Sequence, residues 1–330
     1  MTATRRNIAE NSNDRDAYVQ GVTLLKQESA GLSTADLGIS PRPGFVAQQI
    51  STWDLFLIWH IAAMNEATPP NSGRNAAHRG PSFLPWHRWL LILLEAHLQR
   101  VLGDPDFGLP YWDWAADGEL PAGQQAGQAV WSAACMGGNG RPNDREVTTG
   151  PFRRTSAFQI RLETDSDGRM WATDRALRRN FGAGFESLPR KADVTRALDQ
   201  TSYDAAPWGS TATGFRNHLE GFVPPPASLN DPPSNVHNLV HIWIGGDMGP
   251  ASSPNDPVFF LNHCNVDRIW AAWQSQNPGR PYRPPASAPA SLFRHRRNDP
   301  LNSILTQMQP SPADVLNVSN IYVYDSLIVD

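Results

Sequence analysis

The chain has 330 residues, of which 40% are hydrophobic and 18% are charged, and its formal net charge is −4. This composition is typical of a globular protein with a sizeable core, and we expect a single domain over residues 1–330. The mildly acidic charge gives no reason to expect nucleic acid as a partner, and the apolar runs are too short to cross a membrane. The two cysteines are too few for a disulfide framework.

Hydrophobic periodicity predicts a mainly α fold. In chain order, helices are predicted at 14–28, 50–66, 84–102, 171–180, 191–200, 212–221, 236–244 and 256–275. The segments 31–46 and 105–170 are rich in glycine and proline and are predicted to be irregular, with short strands in the second. Residues 277–313 are predicted to be extended, and the tail Ile321–Ile328 is predicted to be a strand. The pattern favours four or more core helices with irregular surroundings.

The histidines fall into two clusters along these helices. His237 and His241 are four residues apart, which places both rings on one face of a helix. That spacing alone is a weak signal, and His60 or His87 taken singly is more often an ordinary core histidine. Several histidines in apolar helices, however, each need a polar partner. The two clusters are His60, His78, His87 and His97, followed by His218, His237, His241 and His263.

A metal cluster would supply all those partners at once. Imidazole is a ligand for copper, zinc, iron and nickel. The sequence contains no HExxH, so a metalloprotease is not indicated. A dizinc hydrolase would need carboxylate ligands, which the motifs around these histidines do not offer.

The segments around these histidines resemble those of tyrosinases. His78-Arg-Gly-Pro-Ser-Phe-Leu-Pro-Trp-His-Arg resembles the copper-A signature, and Leu109-Pro-Tyr-Trp-Asp-Trp resembles the aromatic motif that follows it. Asn217-His-Leu-Glu-Gly, His237-Asn-Leu-Val-His and Pro254-Asn-Asp-Pro-Val-Phe-Phe-Leu-Asn-His resemble the copper-B half. The resemblance covers about residues 5–275 and is greatest to the compact bacterial members of the family.

The resemblance implies one domain with a central antiparallel four-helix bundle that holds two copper ions. The copper-A half would span about 45–105 and the copper-B half about 210–276, followed by an extension at 277–330 that ends in a Tyr-x-Tyr strand. His97 and His218 match no ligand position, and His295 is predicted to lie on the surface. The implied ligands are His60, His78 and His87 for copper A, and His237, His241 and His263 for copper B.

The same resemblance implies a dicopper oxidase, which uses dioxygen to hydroxylate monophenols and to oxidise o-diphenols to o-quinones. In tyrosinases a Glu and an Asn hold a water that takes the phenol proton, and Glu220 and Asn238 match that pair. The alternative is that these two residues only tie down loops or balance charge.

Several residues near the implied ligands depart from the family pattern and are predicted to contact the substrate. Ile242 is apolar where relatives often have Arg, and Asn262 stands where many have a second histidine. The small residues at 249–253, Ala251 and Ser252 among them, are predicted to border an open entrance. Two other functions remain open: an o-aminophenol oxidase that gives quinone imines or nitroso products, and a haemocyanin-like oxygen carrier. The short chain and the open entrance argue against the carrier.

The expected partners are a phenolic or aminophenolic small molecule, dioxygen and a separate copper-loading chaperone. The polar N-terminal segment predicts a cytoplasmic location, although co-export with a partner would give the same sequence. Arg5 matches an arginine that meets the Tyr-x-Tyr motif in relatives. We therefore expect Arg5 to stack on Tyr322 or Tyr324, with the two chain ends side by side.

Overall fold

The computed structural model describes residues 2–156, 158–223, 235–304 and 307–328. Part of the predicted copper-B half, at 224–234, lies outside the described residues. The helices are α1 Ser12–Gln27, α2 Thr52–Asn65, α3 Phe83–Leu102, α4 Trp114–Gly118, α5 Ala122–Gln125, α6 Lys191–Leu198, α7 Phe215–Glu220, α8 Val236–Ile244 and α9 Val258–Gln276. The strands are β1 Ala3–Arg5, β2 Ser29–Ser33, β3 Gln49–Ser51, β4 Ile160–Thr164, β5 Met170–Arg175 and β6 Tyr322–Tyr324.

The strands form three two-stranded sheets, with order β1-β6, β2-β3 and β4-β5. Short 3₁₀ turns connect the helices at Ala129–Trp131, Arg154–Ser156, Gly246–Met248, Ser253–Asn255, Ala290–Leu292 and Pro312–Val315. The prediction of a mainly α single domain with a central helix bundle is confirmed. No helix among the described residues is both long and apolar enough to cross a membrane.

Helix α2 begins at a capping box and is apolar around its whole circumference. The Ser51 hydroxyl accepts a hydrogen bond from the Asp54 amide, and the Asp54 carboxylate accepts one from the Ser51 amide, so two otherwise free donors are satisfied. A helix that is apolar on all sides is stable only when it is buried, and α2 lies inside the core. Its Trp59 packs edge-to-face on Trp86 of α3, with ring centroids 5.2 Å apart.

Helix α3 packs closely against α1. A Cβ added at Gly21 of α1 would lie 2.6 Å from Leu98 Cδ2, so a larger residue would require the Leu98 side chain to move. The helix ends at Gly103, whose φ of 65° is the left-handed conformation expected of a C-terminal glycine. The predicted end of this helix at 102 is therefore confirmed.

Helix α9 begins two residues later than the predicted range of 256–275. Pro257 precedes the first helical residue, Val258. The Asp256 carboxylate still accepts a hydrogen bond from the Val258 amide at 3.2 Å, but its main partner is the buried Arg179 guanidinium at 2.6 and 2.7 Å. Asp256 therefore mainly forms an ion pair with a residue that is distant in the chain, and its role as a helix cap is minor.

The two ends of the described chain are joined. β1 pairs in parallel with β6, so that Arg5 lies opposite Tyr324. The Arg5 guanidinium lies 3.4 Å from the ring centroid of Tyr322, and it also forms ion pairs with Glu95 and Asp267. The predicted stacking of Arg5 on the Tyr-x-Tyr motif is confirmed.

Two predictions about the surroundings of the core are wrong. Residues 171–180 were predicted as helical, but β5 occupies the first part of this segment and forms a hairpin with β4. The turn signal Asp167-Gly168, with Gly168 at φ 78°, was present in the sequence and marks this hairpin. His295 was predicted on the surface, yet it is fully buried, 2.7 Å from the Thr68 hydroxyl and 2.9 Å from the Ser82 hydroxyl.

Candidate metal centre

Three histidines from the N-terminal half meet at one point. α2 carries His60, α3 carries His87, and the loop between these helices carries His78. Their nitrogens lie within 4.8 Å of one another. The Nδ1 atoms of His60 and His87 lie 2.7 Å from the carbonyl oxygens of Ala251 and Phe83. Because a carbonyl only accepts, Nδ1 carries the proton and the Nε2 lone pair is free for a metal.

Three histidines from the C-terminal half form the second group. His237 and His241 lie one turn apart on α8, and His263 lies in the middle of α9, again with ligand nitrogens within 4.8 Å. His241 Nδ1 lies 2.7 Å from the Met248 carbonyl, and His237 Nδ1 lies 3.0 Å from the Asn238 amide oxygen. His237 and His241 are therefore held in the same tautomer as His60 and His87.

The two triads face each other across a short gap. His87 and His263 stack with ring centroids 4.1 Å apart and planes inclined by 10°. His237 Nε2 lies 3.2 Å from His263 Nε2. With the His237 proton on Nδ1, its Nε2 lone pair points at another ring nitrogen, and a cation between the rings would satisfy both.

Burial keeps these imidazoles neutral. It lowers the pKa of His60 to about 3 and that of His241 to about 4, although the hydrogen bonds to their carbonyl partners raise the pKa. Burial is also the main cause that holds the pKa of the other four histidines well below the usual value, and neighbouring histidines lower it further. Neutral imidazole is the form that binds a metal.

Whether the two triads fit metal ions can be judged from their buried ring nitrogens that have no hydrogen-bond partner. Among the described residues, Nε2 of His60, His87 and His241 and Nδ1 of His78 and His263 are buried and have no partner. Leaving so many polar atoms unpaired costs free energy that metal coordination would recover. Two sets of three imidazoles with no carboxylate among them suit copper. The donor set fits two copper ions, as predicted.

A cavity of about 370 Å³ opens from the two triads to the surface. Histidine rings of both triads form its floor, and its walls include Met64, Phe222, Ile242 and Pro250. Apolar walls over a polar floor are typical of a small-molecule site. The volume and the open mouth are sufficient for one aromatic ring.

Only one of the four residues predicted to contact the substrate lines the cavity. Ile242 lines the cavity, as do Gly249, Pro250 and Ser253. The Ala251 carbonyl instead faces the His60 ring, and the Ser252 hydroxyl is buried beside Thr164. Ser253 thus occupies the position expected of Ser252. Asn262 is fully buried, and neither atom of its amide has a partner among the described residues.

Glu220 and Asn238 lie beside the His237 ring. Glu220 is fully buried, and its two carboxylate oxygens accept hydrogen bonds from the Arg79 amide at 2.6 Å and the Arg216 guanidinium at 2.9 Å. Burial raises the Glu220 pKa to about 7, although Arg216 opposes this effect. Asn238 lines the cavity. A carboxyl group with a pKa near neutrality can exchange a proton at physiological pH.

Sequence reasoning missed three residues of this cavity. Met64 follows His60 by one turn of α2, Arg79 follows His78 directly, and Phe222 follows the α7 segment. The signal for Met64 was its i+4 spacing from a ligand candidate on the same helix. The only sequence signal for Arg79 was its position next to His78, a ligand candidate. Phe222 had no such signal, because it lies in a loop.

Comparison with known proteins agrees with this geometry. A family model described as the common central domain of tyrosinase matches residues 50–276. A tyrosinase from Streptomyces glaucescens is 40% identical over 274 residues, which cover 83% of this chain and 89% of that protein.

Solved structures share the fold. A polyphenol oxidase from Thermothelomyces thermophila superposes with a TM-score of 0.65 at 22% identity, covering 91% of this chain and 82% of that one. A functional unit of octopus haemocyanin gives 0.54 at 19% identity, covering 99% and 69%. At such identities the structures establish the fold alone.

The match over most of the chain and the two buried triads lead to the same conclusion. The protein is a copper oxidoreductase of the tyrosinase type, with a dinuclear copper centre. By sequence and by fold, the chain belongs to the tyrosinase family.

Proposed function

We propose that the protein hydroxylates monophenols and oxidises o-diphenols to o-quinones, with the six clustered histidines as the copper ligands. The observation that carries this proposal is the pair of facing triads at the floor of a cavity open to the surface. Each diphenol loses two electrons and two protons, so two diphenols reduce one dioxygen to two waters. A monophenol takes up one oxygen atom of dioxygen and loses two hydrogens, which leave with the other oxygen atom as water, and the product is the o-quinone. The copper pair, when bound, supplies the electron transfer between ring and dioxygen.

The residues of the cavity orient the substrate ring. Phe222 and Ile242 form apolar walls, and Pro250 adds a rigid edge. An aromatic ring between these walls presents its hydroxyl to the imidazole floor. The walls also limit the water around the reacting hydroxyl.

Glu220 and Asn238 are proposed to remove the phenol proton through a bound water. Asn238 Oδ1 already accepts from His237, so its amide N–H₂ is the group left to hold a water. Glu220 has a pKa of about 7 and lies against the same ring, since its backbone carbonyl is 3.3 Å from His237 Nδ1. A base of this pKa is well matched to proton transfer near neutral pH.

An o-aminophenol oxidase is the second candidate. Ile242 favours it, because an apolar side chain lines the cavity where relatives often place Arg. The same cavity and the same copper pair would then act on an amino group beside the hydroxyl. A haemocyanin-like carrier is disfavoured, because the cavity reaches the surface.

One assay separates these functions. The purified protein is loaded with copper, and tyrosine, a catechol and an o-aminophenol are compared under dioxygen. Oxidation of both tyrosine and the catechol supports the first proposal. Oxidation of the o-aminophenol with no turnover of tyrosine supports the second, and reversible oxygen binding without turnover supports the carrier.

A cytoplasmic location and delivery of copper by a separate protein complete the proposal. Support for delivery lies in the depth of the site, since His263 is completely buried and copper must pass the cavity to reach it. Copper uptake by the purified chain alone, at the rate seen in cells, would remove the need for a loading partner.

A further inference from the structure

Arg79 is the charged side chain at the mouth of the copper cavity. Among the described residues that line the cavity, it alone carries a charge when the imidazoles are neutral. Its guanidinium lies 5.9 Å from the ring centroid of Phe222. Among the described residues it makes no side-chain hydrogen bond or ion pair, so no described carboxylate pairs with its guanidinium.

The backbone holds Arg79 in this place. Its φ is 60°, a left-handed conformation that is uncommon for residues other than glycine. The buried Glu220 carboxylate accepts a hydrogen bond from its amide at 2.6 Å. Backbone strain of this kind persists only where surrounding contacts impose it, and such outliers cluster at ligand sites.

The cavity contains no countercharge for this guanidinium. No Asp or Glu appears among its described lining residues, and the Glu220 carboxylate accepts hydrogen bonds from the Arg79 amide and the Arg216 guanidinium. An anion at the mouth would therefore meet one cation, apolar walls and a metal-binding floor, with no opposing carboxylate.

We propose that Arg79 is a specificity-determining residue that binds a carboxylate on the substrate ring, opposite the reacting hydroxyl. This inference rests on the proposed function, because it places the hydroxyl at the imidazole floor. A flat ring against Phe222 then directs its far substituent to the mouth, where the guanidinium forms charge-assisted hydrogen bonds with a carboxylate. The preferred substrate class is a phenolic acid.

Binding to the metal-free protein tests this inference without any catalytic step. Calorimetry compares 4-hydroxybenzoate with 4-hydroxybenzyl alcohol at low and high salt. We expect the carboxylate to bind about tenfold more tightly at low salt, and the advantage to shrink as salt increases. In Arg79→Gln the advantage should disappear, and Arg79→Lys should keep part of it.

Arg169→Gln is the matched control. Arg169 is also exposed and stacked on an aromatic ring, 4.2 Å from the centroid of Trp171, but it lies on the β4–β5 hairpin outside the cavity. This variant should keep the wild-type preference for the carboxylate. No preference in the wild type, or an unchanged preference in Arg79→Gln, would overturn the inference.

A copper-loaded arm separates this inference from the proposed function. The ratio of kcat/KM for 3,4-dihydroxybenzoate to that for 4-methylcatechol should fall about tenfold in Arg79→Gln. An unchanged ratio contradicts the role of Arg79. Absence of 4-methylcatechol oxidation by the wild type contradicts the proposed function, and the metal-free binding result then decides the role of Arg79 by itself.

Discussion

At the scale of single residues, Glu220 shows how the fold changes the chemistry of a side chain. On the surface a glutamate is a weak base, but in this position burial raises its pKa to about 7. Arg216 and the Arg79 amide keep the carboxylate satisfied, so the group can be buried and still available for proton exchange. The sequence identified Glu220 by its motif, but its pKa depends on partners that only the fold brings together.

The first prediction concerns this residue and Asn238. Monophenols need a base before attack on the ring, whereas catechols lose their protons more easily at copper. Glu220→Gln and Asn238→Ala should therefore lower monophenol turnover by about 10²–10⁴-fold and catechol turnover much less. Steady-state kinetics on tyrosine and a catechol measure the loss of turnover for each substrate. An equal loss on both substrates would show that the pair is structural.

At the scale of elements, the helices that carry the ligands were predictable and the surroundings were not. The helices α2, α3 and α9 are long and strongly apolar, so periodicity predicted each of them to within two residues at either end. His295 was misplaced because its partners, Thr68 and Ser82, are more than 200 residues away in the chain. Local sequence holds no signal for such a contact, and the same is true of the buried Ser252.

The second prediction concerns the joint between β1 and β6. Arg5 is buried, its guanidinium lies 3.4 Å from the Tyr322 ring centroid, and it forms ion pairs with Glu95 at 2.8 Å and Asp267 at 3.2 Å. Arg5→Ala would leave these buried carboxylates poorly compensated, at a cost of about 3–5 kcal/mol in the free energy of unfolding. Urea titration of the copper-free protein measures this loss.

Arg6→Ala is the control for that experiment. Arg6 is the next residue, but 43% of its side chain is exposed and it pairs with Asp14 at 3.3 Å. Because exposed ion pairs contribute little, its loss should stay within about 1 kcal/mol. Similar losses for the two variants would mean that the buried ion pairs of Arg5 do not stabilise the joint.

At the scale of the whole molecule, the copper centre connects two halves of the chain that are far apart in sequence. The N-terminal triad comes from α2, α3 and the loop between them, and the C-terminal triad comes from α8 and α9. Ring nitrogens of both triads are buried without a hydrogen-bond partner among the described residues. The family motifs predicted which histidines meet, whereas the stacking of His87 on His263 required the fold.

The third prediction follows from this arrangement. Copper binds the folded chain and satisfies buried nitrogens from both halves, so loading should stabilise the entire molecule. A copper concentration of 1,000 times the dissociation constant stabilises the folded state by about 4 kcal/mol. We expect two coppers per chain by elemental analysis and a clear rise in the thermal midpoint.

His263→Ala should lose at least one copper and most of that rise, because its ring faces both triads. His97→Ala is the control, since this half-buried histidine packs on Phe56 outside the two triads and should keep both coppers. One copper per wild-type chain, or equal stabilisation of wild type and His263→Ala, would contradict a dinuclear centre built from these six histidines.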